Sequence, residues 1–215
     1  MTRIAIAAGA LAALTGCGAL TYGGRYDRDA FAGWRIAQDR KVDGRALILT
    51  TASDDAFVYS ARPTGTLGSA TRLELPLGVI TREAALRVFG ELFTGGATAS
   101  SDASRAEGCR GVISPRPIAF DHRYGWTTAR FHVAVHVALL DERGQPLLEK
   151  LYDSGWLEAP RRHGERSAGR AIEREAHVAI QRLMLAAAAD VKARLEGGAR
   201  ERAAGVPTTR GVASP

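Results

Sequence analysis

The sequence has little cysteine and little lysine, and the shortage of cysteine excludes a class of protein. Two cysteines, Cys17 and Cys109, are too few for a disulfide-rich scaffold. Only three of the 29 basic residues are lysines, so the formal charge of +6 rests mainly on arginine. Arginine suits bidentate phosphate contacts, but a chain rich in alanine, glycine and arginine is also typical of a GC-rich genome. No nucleic-acid recognition motif is present, and we expect no nucleic-acid partner.

The common catalytic and metal-binding motifs are also missing. Ser69 follows Gly68, but no Gly-x-Ser-x-Gly elbow, Walker motif or dinucleotide fingerprint occurs. His132 and His136 have the spacing of a helical metal site, but in a strand they would lie ~13 Å apart. We therefore expect no metal, no cofactor and no enzymatic activity. A triad assembled in space would leave no motif, so an enzyme stays as a third hypothesis.

The N-terminus has the layout of an export signal. A positively charged start at Met1–Arg3 precedes an apolar run from Ile4 to Leu14. This run is shorter than the ~20 residues that a transmembrane helix needs. It ends in Leu14-Thr15-Gly16-Cys17, which resembles the lipobox of bacterial lipoproteins.

The resemblance implies that residues 1–16 are a lipoprotein signal peptide and that Cys17 is lipidated. The lipids would be a thioether-linked diacylglyceryl group and an amide-linked acyl chain such as palmitate. Two or three acyl chains hold a protein stably on a membrane. Gly18 rather than aspartate follows the cysteine. In Gram-negative lipoproteins this implies the outer membrane, with the domain facing the periplasm.

Lipidation of Cys17 would leave Cys109 without an intramolecular partner. Cys109 is then either a half-buried free thiol or one half of a disulfide between chains. Cleavage before Cys17 also removes Arg3, which lowers the formal charge from +6 to +5.

The rest of the chain divides into three parts. Residues 17–43 are a lipidated N-terminus and tether with room for one short ordered piece. Residues 44–196 form a single α+β domain, and residues 197–215 form a disordered tail that follows Gly197-Gly198.

The first half of the domain combines short strands with one helix. Strands are predicted over 46–51, 56–61 and 71–77. Thr81 is predicted to cap a helix that runs to Phe93, and its apolar stripe consists of Ala85, Val88, Phe89 and Leu92. Gly78 serves either a sharp corner before this helix or the close approach of a ligand. Residues 94–108 contain mostly small residues, which favours disorder or a mobile lip.

The second half has the clearest β pattern. Alternating apolar residues predict a strand over 130–140, a hairpin connection at 142–145 and a return strand over 147–157. Pro115 and Pro117 interrupt a strand over 112–124 and place it at a sheet edge. A long amphipathic helix is predicted over 167–195, and its apolar stripe consists of Ile172, Ala176, Ala179, Ile180, Leu183, Met184, Ala187, Val191 and Leu195. The fold class is therefore α+β: a two-layer sandwich of a mainly antiparallel sheet with two amphipathic helices packed on one face.

Two functional hypotheses fit this anchored domain. The first is a non-catalytic accessory in envelope assembly or transport that binds another envelope protein. In element order and anchor it resembles small envelope-assembly lipoproteins such as the lipopolysaccharide-assembly lipoprotein. The candidate partner edge is the segment 109–120, with Arg116, Ile118 and Phe120, although its prolines alternatively serve to prevent strand pairing. The second is a binding module for an anionic lipid or glycan that uses arginines and the loop Gly65–Ser69.

Overall fold

A computed structural model describes residues 40–64, 71–126, 128–141, 143–160 and 168–197, and the backbone alone of residues 20–23 and 198–203. The predicted signal peptide, the lipobox with Leu14, Thr15, Gly16 and Cys17, and the loop Gly65–Ser69 lie outside the described residues. In chain order the elements are β1 (Leu20–Gly23), β2 (Ala46–Leu49), α1 (Ala52–Asp55), β3 (Tyr59–Ala61), β4 (Thr71–Leu75), α2 (Leu77–Leu92), β5 (Ala97–Ser100), a 3₁₀ turn (Ala103–Ala106), β6 (Gly111–Tyr124), β7 (Thr128–Leu140), β8 (Pro146–Pro160) and α3 (Ala168–Ala203).

The structure is a mixed α+β fold built on a five-stranded sheet of order β5-β2-β6-β7-β8. The three long strands β6, β7 and β8 pair antiparallel, whereas β2 pairs parallel with both β5 and β6. A second sheet, of order β1-β4-β3, was not predicted. Its first strand is the short ordered piece within the predicted tether, and it pairs parallel with β4.

The alternation predicted for β7 is confirmed. Phe131, Val133, Val135, Val137 and Leu139 are completely buried in the main core. The hairpin connection is also confirmed, because Gly144 has φ 76° and its N–H donates to Asp141 O. The bulge in β8 falls at Gly155, where the register with β7 shifts and φ is 61°.

Helix α2 begins four residues before the predicted cap. Pro76 occupies the N-cap position without a side-chain hydrogen bond, and Thr81 lies buried inside the helix. Proline fits there because the first turn needs no intrahelical N–H donor. The N–H of Gly78 instead donates to Phe57 O at 3.0 Å. The predicted apolar stripe is confirmed, since Ala85, Val88, Phe89 and Leu92 are all buried.

Helix α3 supplies the other side of the main core. Nine residues were predicted for its apolar stripe, and all are buried except Leu183, which is partly buried at the border. The helix continues through Gly197-Gly198 to Ala203, so the predicted end at Leu195 was wrong. Two glycines weaken a helix but do not terminate it unless one of them adopts the left-handed conformation. None of the described helices combines the length and apolar composition needed to cross a membrane.

The prediction of disorder or a mobile lip over 94–108 was wrong. Strand β5 and the 3₁₀ turn order this segment, and β5 pairs with β2 from Ala46–Ala97 to Leu49–Ser100. Leu47, Ala106, Cys109 and Val112 form a small second core beneath the turn. Small side chains suit this position because the turn packs closely on the sheet.

The prediction that β6 is an edge strand was also wrong for its first residues. Gly111–Ile113 pair with β2 on one side, and β7 pairs along the other side of the strand. From Ser114 onward, no strand in the described part of the chain pairs with the β2 side of β6. The prolines lie in this extension, where their missing N–H groups cost no ladder hydrogen bond.

Candidate interaction surface on the open sheet face

The five-stranded sheet has one face covered by α2 and α3 and a second face that is only partly covered. Near β2 the second face carries the small core under the 3₁₀ turn. Over β6, β7 and β8 its side chains are exposed or partly exposed except for the buried Ala134 and Ala138, and we call this area the open face. The register places on it Arg116, Asp121 and Arg123 of β6, Arg130, His132, Ala134, His136 and Ala138 of β7, and Glu149, Leu151, Asp153, Trp156 and Glu158 of β8.

Three polar pairs connect β7 with β8 across the open face. His132 Nε2 lies 2.7 Å from Asp153 Oδ1, and His136 Nε2 lies 3.1 Å from Glu149 Oε1. Arg130 forms the third pair, at 2.7 Å from Glu158. His132 and His136 therefore share a face, as the strand assignment predicted, and each contacts its own carboxylate. No group of three potential metal ligands occurs among the described residues.

Apolar side chains are exposed between these polar pairs. Leu151 is 52% exposed and Trp156 is 42% exposed. The guanidinium carbon of Arg123 lies 3.8 Å from the centroid of the Trp156 ring, in a cation–π contact that holds the indole against the sheet. Trp156 faces His132 and Leu151 faces His136, so the two apolar side chains stand four β7 positions apart on the same face. An oriented tryptophan is typical of the anchor residues of protein interfaces.

The outer edge of β8 borders the open face. Val133 N–H donates to Ser154 Oγ in β8. Because main-chain groups alternate along a strand, Val135 and Val137 also direct their N–H and C=O groups toward β8. Their partners Tyr152 and Lys150 complete the ladder, and Glu149, Leu151 and Asp153 direct their N–H and C=O groups outward. Within the described residues no strand pairs with this edge.

Helix α3 hydrogen-bonds to main-chain groups of that edge at its two ends, whereas in the middle Asp190 accepts hydrogen bonds from the Lys150 and Tyr152 side chains. Arg194 Nε donates to Leu147 O at 3.1 Å, and an Arg174 guanidinium N–H donates to Pro160 O at 2.8 Å. The carbonyl groups of Leu147 and Pro160 thus point away from β7, as those of Glu149, Leu151 and Asp153 do. The central stretch from Glu149 to Asp153 therefore presents main-chain donors and acceptors to a strand from another chain.

The residues of the predicted partner edge have different environments. Arg116 is exposed on the open face, and its Nε lies 3.7 Å from Asp54. Ile118 is the extra residue of a β-bulge and is 55% exposed. Phe120 is buried, because the bulge shifts the alternation and turns its ring into the core against Tyr59 and Phe131. The structure thus contradicts the placement of Phe120 at a partner surface.

A buried polar cluster that the sequence did not predict lies at the far end of the main core. The hydroxyl of Tyr59 lies 2.8 Å from His122 Nδ1, and the imidazole edge contacts the ring of Tyr124. Burial lowers the pKa of His122 to about 4, against an opposing effect of the Asp121 charge. Burial also raises the pKa of Tyr59, and the Asp121 charge adds to that rise. His122 is completely buried and Tyr59 and Tyr124 are partly buried, so the cluster belongs to the border of the core rather than to the open face.

Sequence reasoning missed the importance of β8 for a site. Leu151 and Trp156 stand in a predicted strand, but they are exposed because their side chains lie on the face of the sheet that α2 and α3 do not cover. The one available signal was the alternation of Glu149 and Asp153 with apolar and aromatic residues, which indicates a strand with a solvent-facing side.

Comparisons with known proteins give only distant structural likenesses. No family model matches the chain, and no characterised protein matches it in sequence. An uncharacterized lipoprotein B from Nitrosomonas europaea is similar at 15% identity and a TM-score of 0.40, over 77% of this chain and 96% of that one. A PelC dodecamer from Paraburkholderia phytofirmans is similar at 15% identity and a TM-score of 0.35, over 71% and 94%. A hypothetical protein from Chlamydia trachomatis is similar at 14% identity and a TM-score of 0.38, over 72% and 98%. Scores this low establish neither a family nor a function.

Proposed function

We propose that this chain is a lipid-anchored envelope protein that binds a partner protein through the open face and the β8 edge. The anchor is Cys17, in the motif Leu14-Thr15-Gly16-Cys17, and the membrane is the outer membrane with the domain on its periplasmic side. The role is non-catalytic, in envelope assembly or transport.

One observation carries the binding part of the proposal. The exposed apolar pair Leu151 and Trp156 lies beside a stretch of β8 whose main-chain groups point outward. An incoming strand would complete the ladder with these groups, and its side chains would pack beside the exposed leucine and tryptophan. Neither feature alone defines an interface, but their juxtaposition favours an extended protein segment over a small ligand.

The charge of β8 indicates the chemistry of that segment. All charged β8 side chains on the open face are acidic, namely Glu149, Asp153 and Glu158. Opposite charges on facing strand positions stabilise a sheet, whereas like charges destabilise it. The proposed partner therefore offers a strand with lysine or arginine at alternate positions. A second copy of β8 paired antiparallel about Leu151 would set Glu149 against Asp153, which disfavours self-association.

Site-specific photo-crosslinking in intact cells tests this proposal. The crosslinking amino acid p-benzoylphenylalanine replaces Trp156 in one variant and Arg182, an exposed residue of α3, in the control variant. We expect a discrete protein adduct from position 156 and none from position 182. Adducts of equal strength from both positions, or none from position 156, would contradict the open face as the interface.

A further inference from the structure

A cavity of about 320 Å³ lies at the opposite end of β8 from the Trp156 region. Its walls come from the start of β6, the hairpin between β7 and β8, and the last turns of α3. The lining residues are Cys109, Arg110, Gly111, Val112, Leu140, Asp141, Arg143, Leu147 and Leu195. Its volume lies at the lower end of the range of small-molecule sites.

The cavity combines two exposed guanidinium groups with an apolar wall. Arg110 and Arg143 are exposed, and neither forms an ion pair with a carboxylate among the described residues. Val112 is buried and Leu140 is partly buried, Leu195 closes the inner side, and Leu147 is partly exposed at the rim. A site of this kind pairs charge recognition at its mouth with apolar contact in its interior.

The one carboxylate in the lining is engaged elsewhere. Asp141 Oδ1 accepts the main-chain N–H groups of Arg143 and Gln145, each at 2.8 Å. These bonds hold the hairpin turn in place and direct this carboxylate oxygen toward the backbone. The same turn fixes the backbone from which the Arg143 side chain extends. Among the described lining residues, two guanidinium groups and one carboxylate leave a net formal charge of +1 at the cavity.

We propose that this cavity binds an anionic amphiphile, with a phosphate head held by Arg110 and Arg143 and an alkyl chain against Leu140, Leu147 and Leu195. Guanidinium groups bind phosphate oxygens bidentately, and this geometry is the reason that arginine dominates phosphate recognition. The cavity accommodates the head and the first part of one chain. This site is separate from the partner interface, because none of its residues belongs to the open face between Glu149 and Glu158.

Photoaffinity labelling of the purified full-length protein in a neutral detergent tests the assignment. The probe is dodecyl phosphate with a diazirine on its chain, and the labelled peptides are mapped by mass spectrometry. We expect label in the peptides that contain Leu140, Leu147 and Leu195. The double variant R110Q/R143Q should reduce labelling about tenfold or more, since each charge-assisted hydrogen bond contributes substantially to affinity.

Two controls make the outcome decisive. The double variant R62Q/R182Q removes two exposed arginines elsewhere, and it should label as strongly as the parent protein. The variant L147N changes the rim of the apolar wall and should weaken labelling while leaving the melting temperature nearly unchanged. Equal labelling of R110Q/R143Q and the parent would overturn the proposal.

Competition separates the head from the chain and identifies the source of the ligand. Inorganic phosphate that competes as well as unlabelled dodecyl phosphate would overturn the assignment to an amphiphile. Stronger competition by dioctanoyl phosphatidic acid than by dodecyl phosphate would support the site and identify a membrane lipid. The reverse order would support the site and identify a free alkyl phosphate.

Discussion

Gly78 in α2 lies so close to Asp54 in α1 that a β-carbon added at residue 78 would stand 2.0 Å from the Asp54 carbonyl oxygen. The two helices meet there backbone to backbone, and Gly78 N–H donates to Phe57 O at 3.0 Å. The sequence left two roles for this glycine, a corner or a ligand approach. The structure shows that the close neighbour is the chain itself.

We therefore expect Gly78→Ala to lower the free energy of unfolding by about 1–3 kcal/mol, because the new methyl group forces α1 away from α2. Gly197→Ala is the matched control. It lies in α3 with no atom within 4 Å of the added β-carbon. Alanine is the better helix former by about 1 kcal/mol, so the control should be neutral or stabilising. Urea unfolding of both variants measures the difference, and equal stability would contradict the close packing of α1 on α2.

His122 makes the stability of the domain sensitive to acid. Its pKa is lowered from 6.5 to about 4 in the folded protein, chiefly by burial. Below pH 6.5 the unfolded chain binds a proton that the folded protein excludes. The contribution of the buried neutral imidazole to the free energy of unfolding is therefore complete above pH 6.5 and is lost as the pH falls toward 4. At pH 5 the loss amounts to about 2 kcal/mol.

The variant His122→Phe should remove this part of the pH dependence while retaining a ring of similar shape. It leaves the Tyr59 hydroxyl without its histidine partner, which costs about 1–3 kcal/mol at every pH. Tyr59→Phe is the control, because it keeps the buried imidazole and should keep the acid sensitivity. Unfolding free energies at pH 7 and pH 5 test both statements. An unchanged slope in His122→Phe would contradict them.

The sequence predicted which residues lie in the centre of the core, but it did not predict which residues lie at the border of the core. Val135 lies in the middle of β7 with no exposed surface, whereas Leu183 of α3 is only partly buried. Val135→Asp places an unpaired charge in the core and should cost about 3–5 kcal/mol. Leu183→Asp should cost about 1–2 kcal/mol, since its carboxylate reaches water. Thermal unfolding of the two variants measures this gap, and equal melting temperatures would show that Leu183 is as deeply buried as Val135.

Periodicity succeeded where a residue's environment depends on its own element. The alternation in β7 and the stripe of α2 required only the period of a strand or a helix. It failed where the environment depends on distant residues. The small residues of β5 form a strand because β2 pairs with them, some 51 positions away in register. Phe120 is buried because one extra residue, Ile118, shifts the alternation of β6, and a bulge has no simple sequence signature here.

The lipid anchor rests on four residues and is tested by one of them. Cys17→Ser removes the thiol that would receive the diacylglyceryl group, so we expect loss of lipidation and of the lipoprotein-specific cleavage. Metabolic labelling with an alkyne fatty acid measures the first effect, and the mass of the purified chain measures the second. Cys109→Ser is the control and should label like the parent, because Cys109 is a buried thiol whose Sγ donates to Arg105 O. Equal labelling of the Cys17→Ser variant would contradict the anchor.

The edge of β8 allows a substitution that separates main-chain pairing from side-chain contact. Leu151 directs its N–H away from β7, so proline at this position removes an outward donor without breaking the internal ladder. Leu151→Pro should therefore melt close to Leu151→Ala, and both should remain folded. With the photo-crosslinker at position 156, Leu151→Pro should abolish the adduct, whereas Leu151→Ala should retain most of it. An adduct that weakens equally in both variants would show that the partner contacts the Leu151 side chain and does not add a strand to β8.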